Sequence, residues 1–468
     1  MKKVPYRFWI AVMIFFGAYV NYALRANVPV SIVAMTRQRK KMEHIPECLR
    51  LPSYASLEEN ATDAEAVFPD LPDYGPRFEW SELIIGYALS SYYWGYITGC
   101  LPSGPVAEWV GTSNIIFWFT LGSAALNALC VPAAHFHYMA FIVTRFLIGL
   151  LGTFIYPSFQ ILIAHWSPPL ERCKFTSALM GNALSSIINW PLISFVTETF
   201  GWDWGFYIVS FQIVLYCVFF WFICSDRPDL NRFISQEEVD YIRRSQMGHV
   251  SDIRLHAPIR RILRSRPFWI LNFGHMGSMY GLYIQINSIP KYMSEVIGYN
   301  LSGASGALCM VPHLVRVIVA ISTGFLTDNL IKKGRATKEH MRRILTLFSH
   351  IIPGVMIMSF SIICCNIVGV IFVLIGLGIN GTCIATNMVN AQDLSPNFSG
   401  TVFAIISFFG GITGLVVPIL QGFFIRNHNG LKEWGNYFYT GSIFYLFSGV
   451  IFILFGSFDE QSWNLPRH

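Results

Sequence analysis

Charge is scarce in this sequence: 13% of the 468 residues are Asp, Glu, Lys or Arg, against 53% hydrophobic, and mean hydropathy is +0.47. Such a balance excludes a string of soluble domains and points to a polytopic membrane protein. Nucleic acid is not expected among its partners; the bilayer is. Alternation of apolar and polar residues is missing as well, and continuous apolar runs speak against a transmembrane β-barrel. The ten cysteines give no disulfide framework and no zinc spacing. Cys48 alone falls in a long loop, and the adjacent Cys364 and Cys365 read as apolar helix filler. No metal or cofactor is expected, apart from a loosely held Na+ or H+. Scarcest of all are acids inside the apolar runs: Glu82, Glu108, Glu198, Asp328 and Asp393 all stand near an edge.

What is present is apolar sequence in windows of about 20 residues, the length that spans a bilayer as a helix. Twelve begin near Phe8, Leu83, Asn114, Tyr138, Phe175, Gly205, Phe268, Leu301, Ile344, Asn366, Thr401 and Tyr437. The first follows Lys2, Lys3 and Arg7 as a signal peptide would, but it is too long, carries Arg25 and lacks a clear small-residue cleavage site. It is therefore read as a retained helix. The expected architecture is an all-α membrane protein of two six-helix bundles, over 1–224 and 267–468, joined by a basic linker over 225–266. Arg227, Arg232, Arg243, Arg244, Arg254, Arg260, Arg261, Arg264 and Arg266 lie in that linker. Lys332, Lys333, Arg335, Lys338, Arg342 and Arg343 follow the eighth run. By the positive-inside rule both segments, and both termini, are cytoplasmic. The loop over 36–80 then faces outward, and Asn60-Ala-Thr62 in it is a glycosylation sequon. The sequon at Asn300 lies too near a membrane edge, and that at Asn397 on the wrong side. Plasma membrane and endolysosomal or vesicular membrane both remain open.

Two arginines sit inside apolar runs with no acid to neutralise them: Arg25 in the first and Arg145 in the fourth. An arginine at the centre of a spanning helix costs roughly 2.5–3.5 kcal/mol on insertion scales, and such residues usually face a polar cavity. A guanidinium pairs two hydrogen bonds with a carboxylate or phosphate at every relevant pH. The pair therefore suggests an anion site. Tyr156 stands eleven residues beyond Arg145, about three turns, and Gly149 and Gly152 share that face. Asn21 and Tyr22 lie one turn before Arg25. For each arginine the structural alternative is a bond to backbone carbonyls of a neighbouring helix.

The runs carry a combination of motifs. Run one has Asn21-Tyr-Ala-Leu-Arg-Ala-Asn-Val, and run two has Ser90-Ser-Tyr-Tyr-Trp-Gly-Tyr-Ile-Thr and Pro102-Ser-Gly. Run four has Arg145-Phe-Leu-Ile-Gly, Tyr156-Pro157 and Trp166-Ser-Pro-Pro-Leu-Glu-Arg172. Later runs have Val311-Pro-His-Leu, Asn390-Ala-Gln-Asp-Leu-Ser-Pro396 and Gly411-Ile-Thr-Gly with Pro418. Together they resemble the major facilitator superfamily and, within it, the anion–cation symporters of solute carrier family 17, the family of sialin, the vesicular glutamate transporters and the sodium–phosphate cotransporters. The resemblance covers nearly the whole chain. It implies alternating access, a small anionic substrate and cation-driven symport. Three departures stand out: Gly152 where family members commonly carry a glutamate, Ser103 for a glycine, and Thr112 and Ser113 for basic residues. The first removes the usual proton-coupling acid.

Other candidates carry two readings each. His275 aligns with an arginine of the glutamate transporters, and His313 belongs to the family's Pro-His-Leu; histidine changes charge between pH 5 and 8. Either is equally open to a packing role. Tyr280 is a candidate wall residue, as are Asn380, Asn387 and Asn390. Arg316 is a third intramembrane cation, with an interface role as its alternative. A faint repeat, Gly104 to Glu108 and Gly324 to Asp328, places an acid four residues after a glycine in each half. Glu108, Asp328 and Lys332 are thus gating candidates, with ordinary solvated helix ends as the alternative. The function expected is a monomeric, non-enzymatic carrier of inorganic phosphate or an organic carboxylate. An uncoupled facilitator and a non-transporting receptor are the other readings. A membrane transferase lacks support, since no loop exceeds about 45 residues, too few for a domain.

Overall fold

The structure, a computed structural model, describes residues 4–36, 77–246, 256–297, 310–363, 366–425 and 430–464. Asn60, Cys48 and most of the loop expected over 36–80, the sequon at Asn300, and Cys364 and Cys365 lie outside these residues. Twelve helical spans follow in order. They are α1 (Tyr6–Met35), α2 (Glu82–Val110), α3 (Thr112–Phe136), α4 (Tyr138–Trp166), α5 (Pro169–Phe200) and α6 (Trp202–Ile223). Then come α7 (Arg266–Tyr283, continued by π turns to Ile297), α8 (Val311–Lys332), α9 (Lys338–Ile362), α10 (Ile367–Leu394), α11 (Ser399–Phe424) and α12 (Leu431–Phe455). Ten are long and apolar enough to cross a membrane by length and composition; α2 and α7 complete the twelve.

In those ten helices only 33% to 56% of the most apolar window is buried. The remainder points outward: Trp118, Phe211, Phe222, Ile419 and Phe423 are each more than half exposed. An apolar perimeter of that extent is stable only against lipid. Inside, Ile14, Phe141, Phe159, Trp166, Trp202 and Phe206 form one core among the first six helices. Tyr292, Phe360, Trp434, Tyr437 and Phe438 form another among the last six.

Helix ends follow local chemistry. The Ser81 hydroxyl accepts from Ile84 N at 3.3 Å to start α2, and Thr337 accepts from His340 N at 3.2 Å to start α9. That cap starts α9 at Lys338, six residues before the apolar run begins at Ile344. Gly111 and Gly201, at φ 109° and 98°, make the tight α2–α3 and α5–α6 turns in a region closed to most side chains.

The segment read as a linker is not a free tether over its described part. Helix Gln236–Gln246 returns to the first six helices, where Gln246 Nε2 reaches the carbonyls of Ala164, His165 and Ser167 at 3.0–3.1 Å. It thereby satisfies orphan acceptors at the end of α4. Glu238 caps α1 through Tyr6 N and Arg7 N, at 2.8 and 3.1 Å. The tail repeats the device on the second six helices, where Gln461 N donates to Leu394 O at 2.9 Å, at the end of α10.

Candidate functional site: cations and caps between two six-helix sets

Close helix packing places the first-half residues. Gly95 and Gly149 set α2 against α4: a Cβ on Gly95 would collide with the Phe146 carbonyl, and one on Gly149 with the Tyr92 carbonyl. Small residues at such crossings let backbones touch. Tyr92 and Tyr93 are thereby held beside α1. The Arg25 side chain, half-buried, donates from Nε and Nη2 to Tyr93 Oη at 3.2 and 2.9 Å. Its guanidinium carbon lies 5.7, 4.7 and 5.5 Å from the ring centroids of Tyr22, Tyr93 and Tyr283. Tyr283 belongs to α7, so Arg25 stands on the boundary between the two sets. It has no carboxylate partner among the described residues. Aromatic faces compensate a cation in part, yet leave it free to take an anion.

Arg145 is placed differently. It is 2% exposed, donates from Nη1 to Leu24 O at 2.9 Å, and lies 5.3 Å from the Tyr92 ring. That is the structural alternative stated for it: its charge is directed at the α1 backbone, one residue before Arg25. Asn21 Nδ2 donates to Gly152 O at 3.2 Å. Thr153 and Phe154 form a turn between the two helical stretches of α4, so the eleven-residue register from Arg145 to Tyr156 is counted across an interruption. Tyr156 nonetheless meets the second half, stacked on Phe403 of α11 at 6.5 Å.

The second-half candidates separate. His275 is buried, 3.3 Å from Asn387 Nδ2 through Nδ1. His313 meets Trp190 of α5 edge-on at 6.0 Å. Tyr280 packs on Phe444 of α12 and does not join Arg25; Tyr283, three residues on, takes that place. His350, not expected from the sequence, is buried against Ser349 Oγ at 2.7 Å and Gly274 O at 3.0 Å.

The acids after Gly104 and Gly324 do one job: each caps a helix of the other half. Glu108 accepts from Thr401 N and Thr401 Oγ1, both at 2.8 Å, capping α11. Asp328 accepts from Cys173 N at 3.3 Å and Lys174 N at 2.9 Å, capping the helical start of α5. Lys332 is exposed and has no ion pair among the described residues, and Asp328 acts as a helix cap. The two caps are therefore symmetric between halves, each acid capping a helix of the other half. Backbone N–H groups at a helix start carry the positive end of the dipole and need no basic residue. The two glycines make room: a Cβ on Gly104 would lie 2.5 Å from Thr401 Cα, and one on Gly324 2.9 Å from Cys173 O. Beside the caps, Asp393 pairs with Arg342 at 3.0 Å, and with Arg172 of the first half at 3.8 Å. Arg172 Nη1 also donates to Gln392 O at 3.3 Å. All these contacts lie at the end of the molecule that bears the linker.

Twelve lipid-facing helices in two sets, closed against each other at one end by reciprocal acid caps, define a multi-pass membrane transporter. More particularly, the chain belongs to the Major Facilitator Superfamily, which matches residues 14–418. Among its relatives, human sialin is 28% identical over 467 residues, covering 99% of this chain and 91% of that protein. Vesicular glutamate transporter 1 of Bos taurus is 26% identical, covering 99% and 79%. The fold is that of the solved proton:xylose symporter XylE with bound 6-bromo-6-deoxy-D-glucose, at TM-score 0.63, 15% identity and coverage of 97% and 96%. A double tryptophan mutant of XylE superposes at TM-score 0.66, 13% identical, with 98% of each chain covered.

Proposed function

We propose that this chain is an alternating-access carrier of a small anion, inorganic phosphate or an organic carboxylate, moved with a cation. The observation that carries the reading is Arg25: an intramembrane guanidinium on the boundary between the halves, hydrogen-bonded only to a neutral tyrosine among the described residues. A cation so placed favours anions and disfavours cations in a low-dielectric cleft. Arg145 supports it from behind, holding the α1 backbone beside it. The names of the relatives, sialin and a vesicular glutamate transporter, agree with an anionic cargo. By the charge bias of linker and loop the capped end is cytoplasmic, and the conformation is closed there.

Every acid of the described spans stands near a helix end, so a mid-depth carboxylate relay is not part of the reading. Sodium held by carbonyls, asparagines and hydroxyls, or a proton carried by His275 or His313, supplies the coupling instead. The test is flux of radiolabelled phosphate and carboxylates into proteoliposomes, with sodium and pH gradients imposed separately. Gradient-driven accumulation is expected. Flux that only equilibrates would make the chain a facilitator, and anion binding without flux a receptor.

A further inference from the structure

We infer that Arg316, with His313, forms a second anion-recognition point on the C-terminal half, and that the cargo is two-ended: one acidic group at Arg25, the other at Arg316, as in a dicarboxylate. This deepens the carrier reading above and rests on it.

Arg316 is 3% exposed, its Nε has no hydrogen-bond partner, and it pairs with no acid among the described residues. Its surroundings are neutral: the Cys383 thiol lies within hydrogen-bond reach of it, with Tyr445 nearby. Tyr445 Oη is engaged elsewhere, donating to the Ser349 carbonyl and accepting from Asn380 Nδ2 at 2.8 Å. One turn away His313, 4% exposed, has an Nδ1 with no partner among the described residues, and the Trp190 indole N–H beside it is buried with none among them either. An unneutralised guanidinium with two further unmet polar groups is costly in a membrane unless a ligand supplies acceptors.

The position lies on the side of α8 that borders the other half at His313, Gly324 and Asp328. The buried stripe of α8 runs through His313, Arg316, Ala320, Gly324 and Asp328. Three of its members meet α5, His313 at Trp190, Gly324 at Cys173 and Asp328 at Cys173 and Lys174, while the backbone of Arg316 and Ala320 lies against Gly381 of α10. Depth follows from the paired caps. Glu108 and Asp328 occupy equivalent places on α2 and α8, so positions equally far from them lie at equal height. His313 is fifteen residues from Asp328, as Tyr93, the partner of Arg25, is from Glu108. Arg316 lies one turn deeper, about 4.5 Å at 1.5 Å per residue. Two cations on opposite halves, within a turn of one depth, suit an anion whose acidic groups are several bonds apart. Binding it ties the halves together, which a one-ended anion on Arg25 alone cannot do.

The experiment compares uptake of radiolabelled succinate and of gluconate, a monocarboxylate, by the full-length protein in proteoliposomes, with wild type, Arg316→Gln and Arg316→Lys. Wild type should favour succinate, and Arg316→Gln should lower the succinate-to-gluconate ratio by about 10-fold or more, the loss of one bidentate ion pair. Thermal shift in detergent gives a second readout: succinate should raise the Tm of wild type and not of Arg316→Gln. An unchanged ratio overturns the inference, whether both rates hold or both collapse. Should Arg316→Gln not fold, Arg316→Lys decides: a lowered ratio supports the second anchor and an unchanged one removes it. Wild type that moves gluconate but not succinate sinks the two-ended cargo and leaves the carrier standing, whereas wild type that moves no anion at all sinks both.

Discussion

Arg145 Nη1 donates to the carbonyl of Leu24 at 2.9 Å, so the intramembrane arginine of α4 is bonded to the residue that precedes the intramembrane arginine of α1. The two cations are therefore unequal. Arg145 commits Nη1 to backbone and keeps an Nε with no partner among the described residues, whereas Arg25 has only tyrosines. A charge committed to a carbonyl orients the helix that carries the other charge.

The inequality gives separable kinetics. Arg25→Gln should raise KM for the anion by about 10-fold or more, since it removes a charge-assisted bond worth roughly 1.5–3 kcal/mol. Arg145→Gln should lower the maximal rate and the Tm together, because it loosens α4 from α1. Uptake kinetics and a thermal unfolding curve on purified protein check the split. Matching KM effects with an unchanged Tm would put Arg145 in the anion site instead.

A second pair of predictions concerns the two caps. Glu108→Gln and Asp328→Asn keep one accepting oxygen, turn the other into a donor, and lose the charge that favours the helix start. Each should shift the conformational balance toward opening at the linker end by about 0.5–1 kcal/mol. The two caps act on one equilibrium from distant sites, so the double variant should show the sum. Spin-label distances across α2–α11 and α5–α8 would measure this, and a shift in only one single variant would argue against symmetric closure.

How much of this was legible beforehand depends on the kind of partner each residue finds. Arg25 and Arg145 stood out because charge in an apolar run has few explanations. The repeat of Gly104 to Glu108 in Gly324 to Asp328 was visible too. Its meaning was not, because the partners are backbone N–H groups of Thr401, Cys173 and Lys174, which leave no side-chain signature. Tyr283 was missed in favour of Tyr280 because tyrosine is common here, and a single helical residue carries no mark of the face it will occupy. The π turn over Ile284–Ser288 shifts the helical phase immediately afterwards.

Asp393 should be the least tolerant acid in the chain. It is 3% exposed and holds Arg342, itself 2% exposed, through Nε at 3.2 Å and Nη2 at 3.0 Å. Asp393→Asn leaves that guanidinium, and Arg172 nearby, without a counter-charge. Breaking a buried pair from one side costs about 3–5 kcal/mol. The expected outcome is a large fall in Tm and in folded yield. The pair replacement Asp393→Leu with Arg342→Met should recover part of it, and failure of any recovery would show that Arg172 needs the carboxylate as much as Arg342 does.

Gly152 offers a test of the missing acid. A Cβ there would lie 3.3 Å from Tyr92 Oη and 3.5 Å from Asn21 Nδ2, a fit that asks those side chains to give by a few tenths of an ångström at most. Gly152→Ala should accordingly fold and transport. Gly152→Glu introduces a carboxylate into the Asn21–Tyr92 neighbourhood, near Arg25 and Arg145. Ionised, that carboxylate neutralises the cationic site and competes with the anion; protonated, it does not. Uptake by Gly152→Glu should therefore be depressed at neutral pH and recover as external pH falls, with a steeper pH dependence than wild type. The sign is diagnostic, since protonating an acid restores net positive charge, which an anion site needs. Parallel pH profiles for wild type and Gly152→Glu would mean that position 152 does not communicate with the anion, and that coupling in this chain is organised away from α4.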